Sequence, residues 1–308
     1  MQAPHIPVLL EPVVETFRDR KGWIVDATLG FGGHSKALLE SNPEIKIIGI
    51  DRDEEALAFA KKRLAHFADR IIFMHGTYGT KVKEALQNYE VHGVLADIGV
   101  SSWQLDNKER GFSFESETLD MRMDRNASLT AYEVINSYDL EELVRVLRNY
   151  GEIKKAYSIA KAIISHRPIK SANELAKVAQ KTMPKTKKIH PATTLFQAIR
   201  IEVNQELQEL ENLLDTLEEF CPNDAKIAII TFHSLEDRIV KNRFKEWAKD
   251  CICPPEAMRC ECGRGHALGE LLTKKPIVAT KEEIASNPRS RSAKMRVFWM
   301  KGCDAKKR

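Results

Sequence analysis

The stretch Trp23-Ile-Val-Asp-Ala-Thr-Leu-Gly-Phe-Gly-Gly-His34 decides the fold. A short apolar run ends in a carboxylate, Asp26, and passes into the loop Gly30-Phe-Gly-Gly-His34, after which a helix is expected from Ser35 to about Leu39. A buried strand that feeds a glycine turn and then a helix opens an α/β unit. The pattern repeats downstream. Ile45-Lys-Ile-Ile-Gly-Ile50 reads as a second strand ending at Asp51, and Asp53 is placed to cap a helix carrying Leu57, Ala60, Leu64 and Phe67 on one face. Ile71-Ile-Phe-Met74 is a third strand, and Gly93-Val-Leu-Ala96 a fourth that ends at Asp97. Strands alternating with helices predict an α/β fold with a parallel sheet covered on both faces.

The alternation stops after Asp97. Residues 103–125 contain no periodic element, and helices follow. Asp139 with Glu142 makes a capping box ahead of Leu143, Val144 and Leu147, with Gly151 as the stop. Ala156, Ala160, Ile163 and Ile164 form a second helical face closed by Pro168, and Ser171 with Glu174 starts a third helix that ends before Pro184. One long fourth helix is expected after Pro191, carrying Ile199, Val203, Leu207, Leu210, Leu214 and Leu217. Strand character returns at Lys226-Ile-Ala-Ile-Ile-Thr-Phe232 and at Met295-Arg-Val-Phe-Trp-Met300. The expected organisation is therefore one α/β domain from residues 1–104 and 206–308, with an all-helical domain, 105–205, inserted between its fourth and fifth strands. A chain of 308 residues accommodates this at roughly 100–200 residues per domain.

Composition bounds the class. Apolar residues make up 43% and charged residues 30%, as in a folded globular chain. No apolar run approaches the roughly 18 residues of a membrane helix, so no membrane partner is expected. The segment Met1 to Leu10 has no basic region of a signal peptide, which leads to an expected cytoplasmic location. The net charge is only +4, but it is unevenly spread. Residues 151–190 carry Lys154, Lys155, Lys161, Arg167, Lys170, Lys177, Lys181, Lys185, Lys187 and Lys188 against Glu152 and Glu174. Residues 203–220 hold six acids and no base, and the C-terminal stretch is basic again at Arg289, Arg291, Lys294 and Arg296. This asymmetry suits a polyanionic partner on one side; a solvated helical surface is the alternative. The six cysteines do not read as a disulfide framework. Cys251, Cys253, Cys260 and Cys262 invite a zinc reading, but Cys-x-Cys is less typical of structural zinc than Cys-x2-Cys; no metal is assigned and a loop of reduced thiols is expected.

In open α/β sheets, ligands bind beyond the carboxyl ends of the strands, near the switch in strand order. Glycines after the first strand let backbone approach a ligand, the next helix N-terminus favours an anionic group, and Asp51 can accept from ribose hydroxyls. Nicotinamide and flavin enzymes use the same logic. The carboxylate at Asp26 and the Gly-x-Gly-Gly spacing favour S-adenosyl-L-methionine, a cation-rich ligand without a pyrophosphate, over a dinucleotide. A tight strand-to-helix turn with no ligand remains the third option.

Eight motifs occur in order: Asp26-Ala-Thr-Leu-Gly-Phe-Gly-Gly-His34, Ile50-Asp-Arg-Asp53, Asp97-Ile-Gly-Val-Ser-Ser102, Arg110-Gly-Phe-Ser-Phe114, Leu119-Asp-Met-Arg-Met-Asp124, His190-Pro-Ala-Thr193, Phe232-His-Ser-Leu-Glu-Asp-Arg-Ile-Val-Lys241 and Asn287-Pro-Arg-Ser-Arg-Ser292. Together, from His5 to about Val297, they resemble the bacterial methyltransferases that act on the N4 amino group of a cytidine in small-subunit (16S) ribosomal RNA. The resemblance implies a class I S-adenosylmethionine-dependent methyltransferase (Rossmann-like) sheet with a helical insert that recognises RNA. It implies cofactor contacts from Gly32, Gly33, His34, Asp51, Tyr78, Asp97 and Gln104. It also implies a partner in small-subunit ribosomal RNA or the small ribosomal subunit, and a homodimer is a further expectation. Tyr78 stands where the family usually has Phe, Trp103 where it has Pro, and Thr194-Leu195 where it has Arg-Thr; Glu117-Thr118 replaces a frequent Gly-Pro.

A cytosine N4 is a poor nucleophile, because its lone pair is delocalised into the ring. Transfer needs alignment, an acceptor for the amino hydrogens and a route for the departing proton. Related amino-methyltransferases place Asp or Asn at the end of the fourth strand, which makes Asp97 the catalytic candidate as well as a cofactor contact. Ser101 and Ser102 are candidate hydrogen-bonding groups, His5 and His233 candidate substrate contacts, and Phe112, Phe114 and Phe232 candidates to stack a flipped base. Each has a structural alternative: turn former, loop anchor or core filler. Two competing functions are a DNA amino-methyltransferase and a non-catalytic ribosome-assembly factor on a methyltransferase fold.

Overall fold

The computed structural model describes residues 6–183, 190–254, 256, 257 and 259–303. His5, Lys185, Lys187, Lys188 and the side chain of Ser102 lie outside this description. The chain begins with helix α1 (Leu10–Phe17) and then alternates β1 (Gly22–Asp26), α2 (Gly33–Ser41), β2 (Ile45–Asp51), α3 (Glu54–Arg63), β3 (Ile71–His75), α4 (Tyr78–Asn88) and β4 (Val91–Asp97). Six helices follow: α5 (Ser102–Asp106), α6 (Ala131–Ser137), α7 (Leu140–Asn149), α8 (Ala156–Ser165), α9 (Ala172–Thr182) and α10 (Ala192–Asn204). The remainder is α11 (Glu206–Phe220), β5 (Ala225–Thr231), α12 (Ser234–Trp247), β6 (Gly269–Leu271), β7 (Ile277–Val278), α13 (Lys281–Ser286) and β8 (Lys294–Met300). Two compact units result, residues 1–99 with 209–308 and residues 100–208. No helix among the described residues is long and apolar enough to cross a membrane.

The first unit is an eight-stranded sheet in the order β3-β2-β1-β4-β5-β8-β6, with β7 beside β8. Strands β1 to β5 run parallel, whereas β8 is antiparallel to β5, β6 and β7. The expectation of a parallel sheet thus holds for five strands, and β8 departs from it. The sheet is the open, doubly covered sheet of an α/β fold. Its strand order reverses between β1 and β4, the switch point where α/β folds bind ligands.

Side chains alternate between two cores, as the period of two requires. Ile24, Ile47, Leu95, Ala228 and Ile230 face one core with Phe17 of α1, Leu38 of α2 and Leu57 of α3. Val25, Ile48, Val94, Ala96, Ile227 and Ile229 face the other, with Val82 of α4, Leu210, Leu214 and Leu217 of α11, and Phe244 of α12. Asp53 caps α3 by accepting from the backbone N–H groups of Glu55 and Ala56.

The second unit has its own core, built from Val134, Leu143, Val146, Ile159, Ile163, Leu175, Ala179, Leu195 and Ile199. The Asp139–Glu142 capping box forms at the start of α7. Ser171 caps α9 through the Glu174 N–H, but the Glu174 carboxylate reaches the Lys170 N–H instead of closing a box. The single helix expected after Pro191 is two helices. Gln205 takes a left-handed conformation (φ 51°) between α10 and α11. Tertiary bonds hold that break: Asn204 accepts from Met123 N–H and donates to Met121 C=O, while Arg200 grips Glu206 through two nitrogens at 2.7 and 2.8 Å. The aperiodic Leu119–Asp124 motif is a packed loop, with Leu119, Met121 and Met123 buried and the buried Arg110 donating to the carbonyls of Arg122 and Met123.

The cysteine expectation is corrected in one respect: Cys221 and Cys303 form a disulfide, with Cα atoms 5.6 Å apart. The antiparallel register Ala225↔Met300 brings these distant positions together, a pairing that no local spacing reveals.

Candidate functional site

The carboxyl ends of the first, second and fourth strands each carry an aspartate, Asp26 buried and Asp51 and Asp97 half-buried. Asp26 accepts the Ser35 hydroxyl at 2.6 Å and the Thr28 N–H at 3.4 Å. Asp51 accepts the Gly30 N–H at 2.7 Å and the Asp53 N–H at 2.8 Å, one on each oxygen. The Thr28 hydroxyl oxygen accepts the Asp97 N–H at 2.7 Å. Further backbone bonds tie these ends together, from Leu29 N–H to Ile50 C=O and from Gly76 N–H to Asp51 C=O. The loops after β1, β2 and β3 are thus bonded to one another, and Asp97 is bonded to the first of them.

Burial pushes each of the three carboxyls up to about 6. For Asp26 the Ser35 and Thr28 donors pull against burial, and for Asp51 the Asp53 and Gly30 amides do so. For Asp97, His34 pulls down while Asp26 and Glu236 push further up. One oxygen of Asp97, Oδ1, is buried without a hydrogen-bond partner. Buried acceptors are rarely left unpaired, and each marks strain, chemistry or an absent partner. Three carboxylates that resist ionisation at one edge of the sheet suit a cationic ligand, which would stabilise their charged forms.

The glycine loop is built for closeness. Gly32 sits at φ 73° as the residue before α2, and a Cβ there would meet Leu64 Cδ1 at 2.7 Å. A Cβ on Gly33 would meet Pro7 Cγ at 2.4 Å. These two glycines are required by the fold itself, so their presence is explained before any ligand is invoked. Gly30 differs: its φ is 52°, and the nearest atom to a Cβ would be Thr28 O at 3.9 Å. This is the glycine with open space over it, and sequence reasoning did not single it out as a contact.

His34 is buried, with Nε2 2.8 Å from the Val8 carbonyl and Nδ1 3.9 Å from Asp97 Oδ2. A carbonyl only accepts, so Nε2 carries the proton in that bond. Tyr78 opens α4 and is buried against the core shared with Val82 and Leu210. The Glu209 carboxylate accepts the neighbouring Gly79 N–H at 3.1 Å, so the start of α4 is capped from α11. Gln104 belongs to the second unit, where it forms a capping box with Ser101: its side-chain oxygen accepts the Ser101 N–H, and its own N–H donates to Ser101 Oγ. Ser101 is therefore a helix cap. The structure groups Gly32, Gly33, His34, Asp51, Tyr78 and Asp97 in the sheet unit, and Gln104 is not among them.

Several other candidates resolve into structural roles. His233 caps α12 by accepting the Glu236 N–H, and its Nε2 lies 2.9 Å from Glu236 Oε1. Phe112 is a core residue of the helical unit, and Phe114 stacks on His190 with ring centroids 4.6 Å apart. Phe232 covers Gly99, where a Cβ would meet its ring at 2.5 Å. The charge clusters also divide. Arg167 donates to the carbonyls of Ile135 and Tyr138, and Arg296 pairs with Asp237 at 2.7 Å beside Lys294 at 3.5 Å. The acidic run is partly consumed internally: Asp215 and Glu218 hold Arg243, Glu219 holds Lys83 and Glu206 holds Arg200. Lys154, Lys155, Lys161, Lys170, Lys177 and Lys181 remain exposed on the helical unit. Tyr157, 52% exposed, lies under the Lys161 ammonium at 4.8 Å; an aromatic on the outer side of a basic helix was not legible as exposed from periodicity alone.

Comparison with known proteins agrees with this geometry. A family model described as the MraW methylase family matches residues 2–301. The protein named ribosomal RNA small subunit methyltransferase H in a Nitratiruptor species is 65% identical over 301 residues, covering 98% of this chain and all of its own length. The protein of that name in Sulfurimonas denitrificans is 57% identical over 302 residues, covering 97% of this chain and 98% of its own. In one strain of Campylobacter jejuni the identity is 52% over 310 residues, covering 99% of this chain and all of its own.

Proposed function

We propose that this chain, which belongs to the MraW methylase family, transfers a methyl group from S-adenosyl-L-methionine to the N4 amino group of a cytidine in small-subunit (16S) ribosomal RNA. The observation that carries the substrate is the identity of 65%, over 98% of this chain and all of the relative, to a protein named for methylation of small-subunit ribosomal RNA. Its place of action is the cytoplasm, where ribosomal subunits are assembled.

The donor fits the residues present. When bound, it supplies a methyl group on a positively charged sulfur. The chain offers the buried carboxylate of Asp26 and the half-buried ones of Asp51 and Asp97 toward a ligand of that charge. Asp51 uses one acceptor site on each oxygen, and a carboxylate has about four, so ribose hydroxyls can be accepted without releasing the glycine loop. Tyr78 supplies an apolar wall for the adenine. Gly32 and Gly33 hold the turn tight, Gly30 leaves room for the ligand, and His34 is held beside Asp97 by its bond to the Val8 carbonyl. Gln104, in the capping box that opens α5, is a further proposed contact with the donor.

Asp97 Oδ1 is the acceptor for the N4 amino group. A hydrogen bond from that amino group to a carboxylate withdraws the nitrogen lone pair from the ring and orients it for in-line attack. The helical unit binds RNA through its exposed lysines, whose phosphate contacts position the substrate without reading its sequence.

The test is methyl transfer from labelled donor to small subunits lacking the modification, to free ribosomal RNA and to duplex DNA, with nucleosides identified by mass. N4-methylcytidine from RNA alone is expected. Transfer to DNA, or cofactor binding without any transfer to subunits or RNA, overturns the assignment.

A further inference from the structure

The segment between α12 and β6 has no core. From Cys251 to Leu268 not one described residue is buried, and Ile252 is 62% exposed. A segment of this length loses conformational entropy when it adopts one shape, and apolar burial normally offsets that loss. Here the ordered feature is a cluster of sulfurs. Cys251 Sγ lies 3.7 Å from Cys260 Sγ, Cys260 Sγ 3.6 Å from Cys262 Sγ, and Cys262 Sγ 3.6 Å from Cys251 Sγ. With Cys253, all four sulfurs fall within 4.8 Å of one another.

We infer that Cys251, Cys253, Cys260 and Cys262 bind one zinc ion as a closed tetrathiolate site that folds this corner of the sheet unit. Zn–S bonds of about 2.3 Å in a tetrahedron set sulfurs roughly 3.8 Å apart, which the cluster nearly matches. Disulfides would require roughly 2.05 Å. A two-iron cluster would split the cysteines into two pairs held further apart, whereas these four surround a single point. Soft thiolates favour zinc over the hard cations. Binding releases one proton from each thiol, leaving four sulfurs on one divalent ion and a net charge of −2 at the centre. The backbone already answers that charge: the N–H groups of Glu261 and Cys262 donate to Cys253 Sγ at 3.2 and 3.3 Å.

The cluster is pinned to the end of α12. His266 N–H donates to Asp250 C=O, Gly265 N–H to the Asp250 carboxylate at 2.7 Å, and Leu268 N–H to Trp247 C=O. Trp247 in turn packs on Phe244 and Phe298 of the core. Four protein ligands leave no open position, so the ion is structural and takes no part in methyl transfer.

The experiment uses the full chain, expressed in zinc-supplemented medium and purified under reductant without chelator. Elemental analysis is expected to give one zinc per chain. Replacing zinc by cobalt(II) is expected to give the visible bands and sulfur-to-cobalt charge transfer of a tetrahedral four-thiolate site. The double variant Cys260→Ser/Cys262→Ser is expected to lose the metal. Less than a tenth of an equivalent in the reduced protein with its thiols intact overturns the proposal, as does a full equivalent retained by the double variant. Should that variant fail to fold, the cobalt spectrum of the unaltered chain decides, and bands lacking four-sulfur character overturn it equally.

Discussion

Asp51, at the end of β2, accepts the backbone N–H of Gly30, in the loop after β1, at 2.7 Å. One carboxylate therefore organises the glycine loop while keeping lone pairs for a ligand. Replacing Asp51 by Ala removes both functions. Cofactor affinity is expected to fall by about 1.5–3 kcal/mol, the range for a hydrogen bond to a charged group, with a lowered melting temperature because Gly30 loses its acceptor. Calorimetry and thermal unfolding read the two effects separately, and unchanged affinity would remove Asp51 from the ribose role.

Cofactor binding is expected to strengthen as pH rises. Burial holds Asp26, Asp51 and Asp97 at about 6, against 3.8 for the unperturbed group. The folded chain without ligand therefore keeps protons that the unfolded chain has lost, and its stability declines as pH climbs from about 4 to about 6. A cationic ligand favours the ionised carboxylates, so its affinity increases through that window and levels off above it. The uncharged-sulfur product, S-adenosylhomocysteine, should gain less. Equal pH dependence for donor and product would exclude these carboxylates as the partners of the sulfonium.

Asp97 Oδ1 is a buried acceptor without a partner, and its loss should be felt in turnover. Asp97→Ala is expected to lower kcat by about 100-fold or more, the scale for removing a positioned electrostatic contact. Asp97→Asn keeps an acceptor oxygen and should retain more activity than Ala. Single-turnover rates at saturating donor check this; equal rates for the two variants would dismiss the acceptor role.

Gly32 is enforced by packing. At φ 73°, with Leu64 Cδ1 2.7 Å from the place of a Cβ, Gly32→Ala meets both backbone strain and overpacking. A loss of about 2–4 kcal/mol is expected in denaturant unfolding. Adding Leu64→Ala removes the collision but leaves a cavity, so the double variant should be less destabilised than the sum of the two single changes. Simple additivity would show that Gly32 and Leu64 do not compete for this space.

RNA affinity should owe its salt dependence to the helical unit. Lys170, Lys177 and Lys181 are exposed on or beside α9, whereas Arg167 and Arg296 are committed to carbonyls and to Asp237. Replacing the three lysines by Ala is expected to weaken binding and to flatten the log–log salt slope by about 2, since each phosphate left without its lysine lowers the slope by roughly 0.7–0.9. A slope equal to that of the unaltered protein would place these lysines away from RNA.

Local pattern carried much of this protein. The carboxylates at Asp26, Asp51 and Asp97 were readable because strand ends in α/β folds are marked by apolar runs that stop, and the caps at Asp53, Asp139 and Ser171 because capping is a contact over two or three residues. The helical insert followed from the change in period. The short strands β6 and β7 and helices α1, α4, α5, α6, α12 and α13 were not read from the pattern; α5, at Ser102–Asp106, enters the stretch 103–125 expected to hold no periodic element, because one short turn carries little periodic signal, and α12 mixes charged with apolar positions.

What the sequence by itself determined was therefore the α/β class, the inserted helical segment and the family, all of which rest on residue identity and short-range spacing. Tertiary structure alone decided which of those residues are committed to the fold. It broke the helix at Gln205 through Asn204 and Arg200, turned the Arg110 and Leu119–Asp124 motifs into a packed loop, and paired Arg296 with Asp237. It joined Cys221 to Cys303 and drew four other cysteines around one point. The contacts of Asn204 with Met121, of Arg296 with Asp237 and of Cys221 with Cys303 join positions 59 to 83 residues apart, which the chain's local pattern could not pair because burial of the sheet and helix cores brings them together.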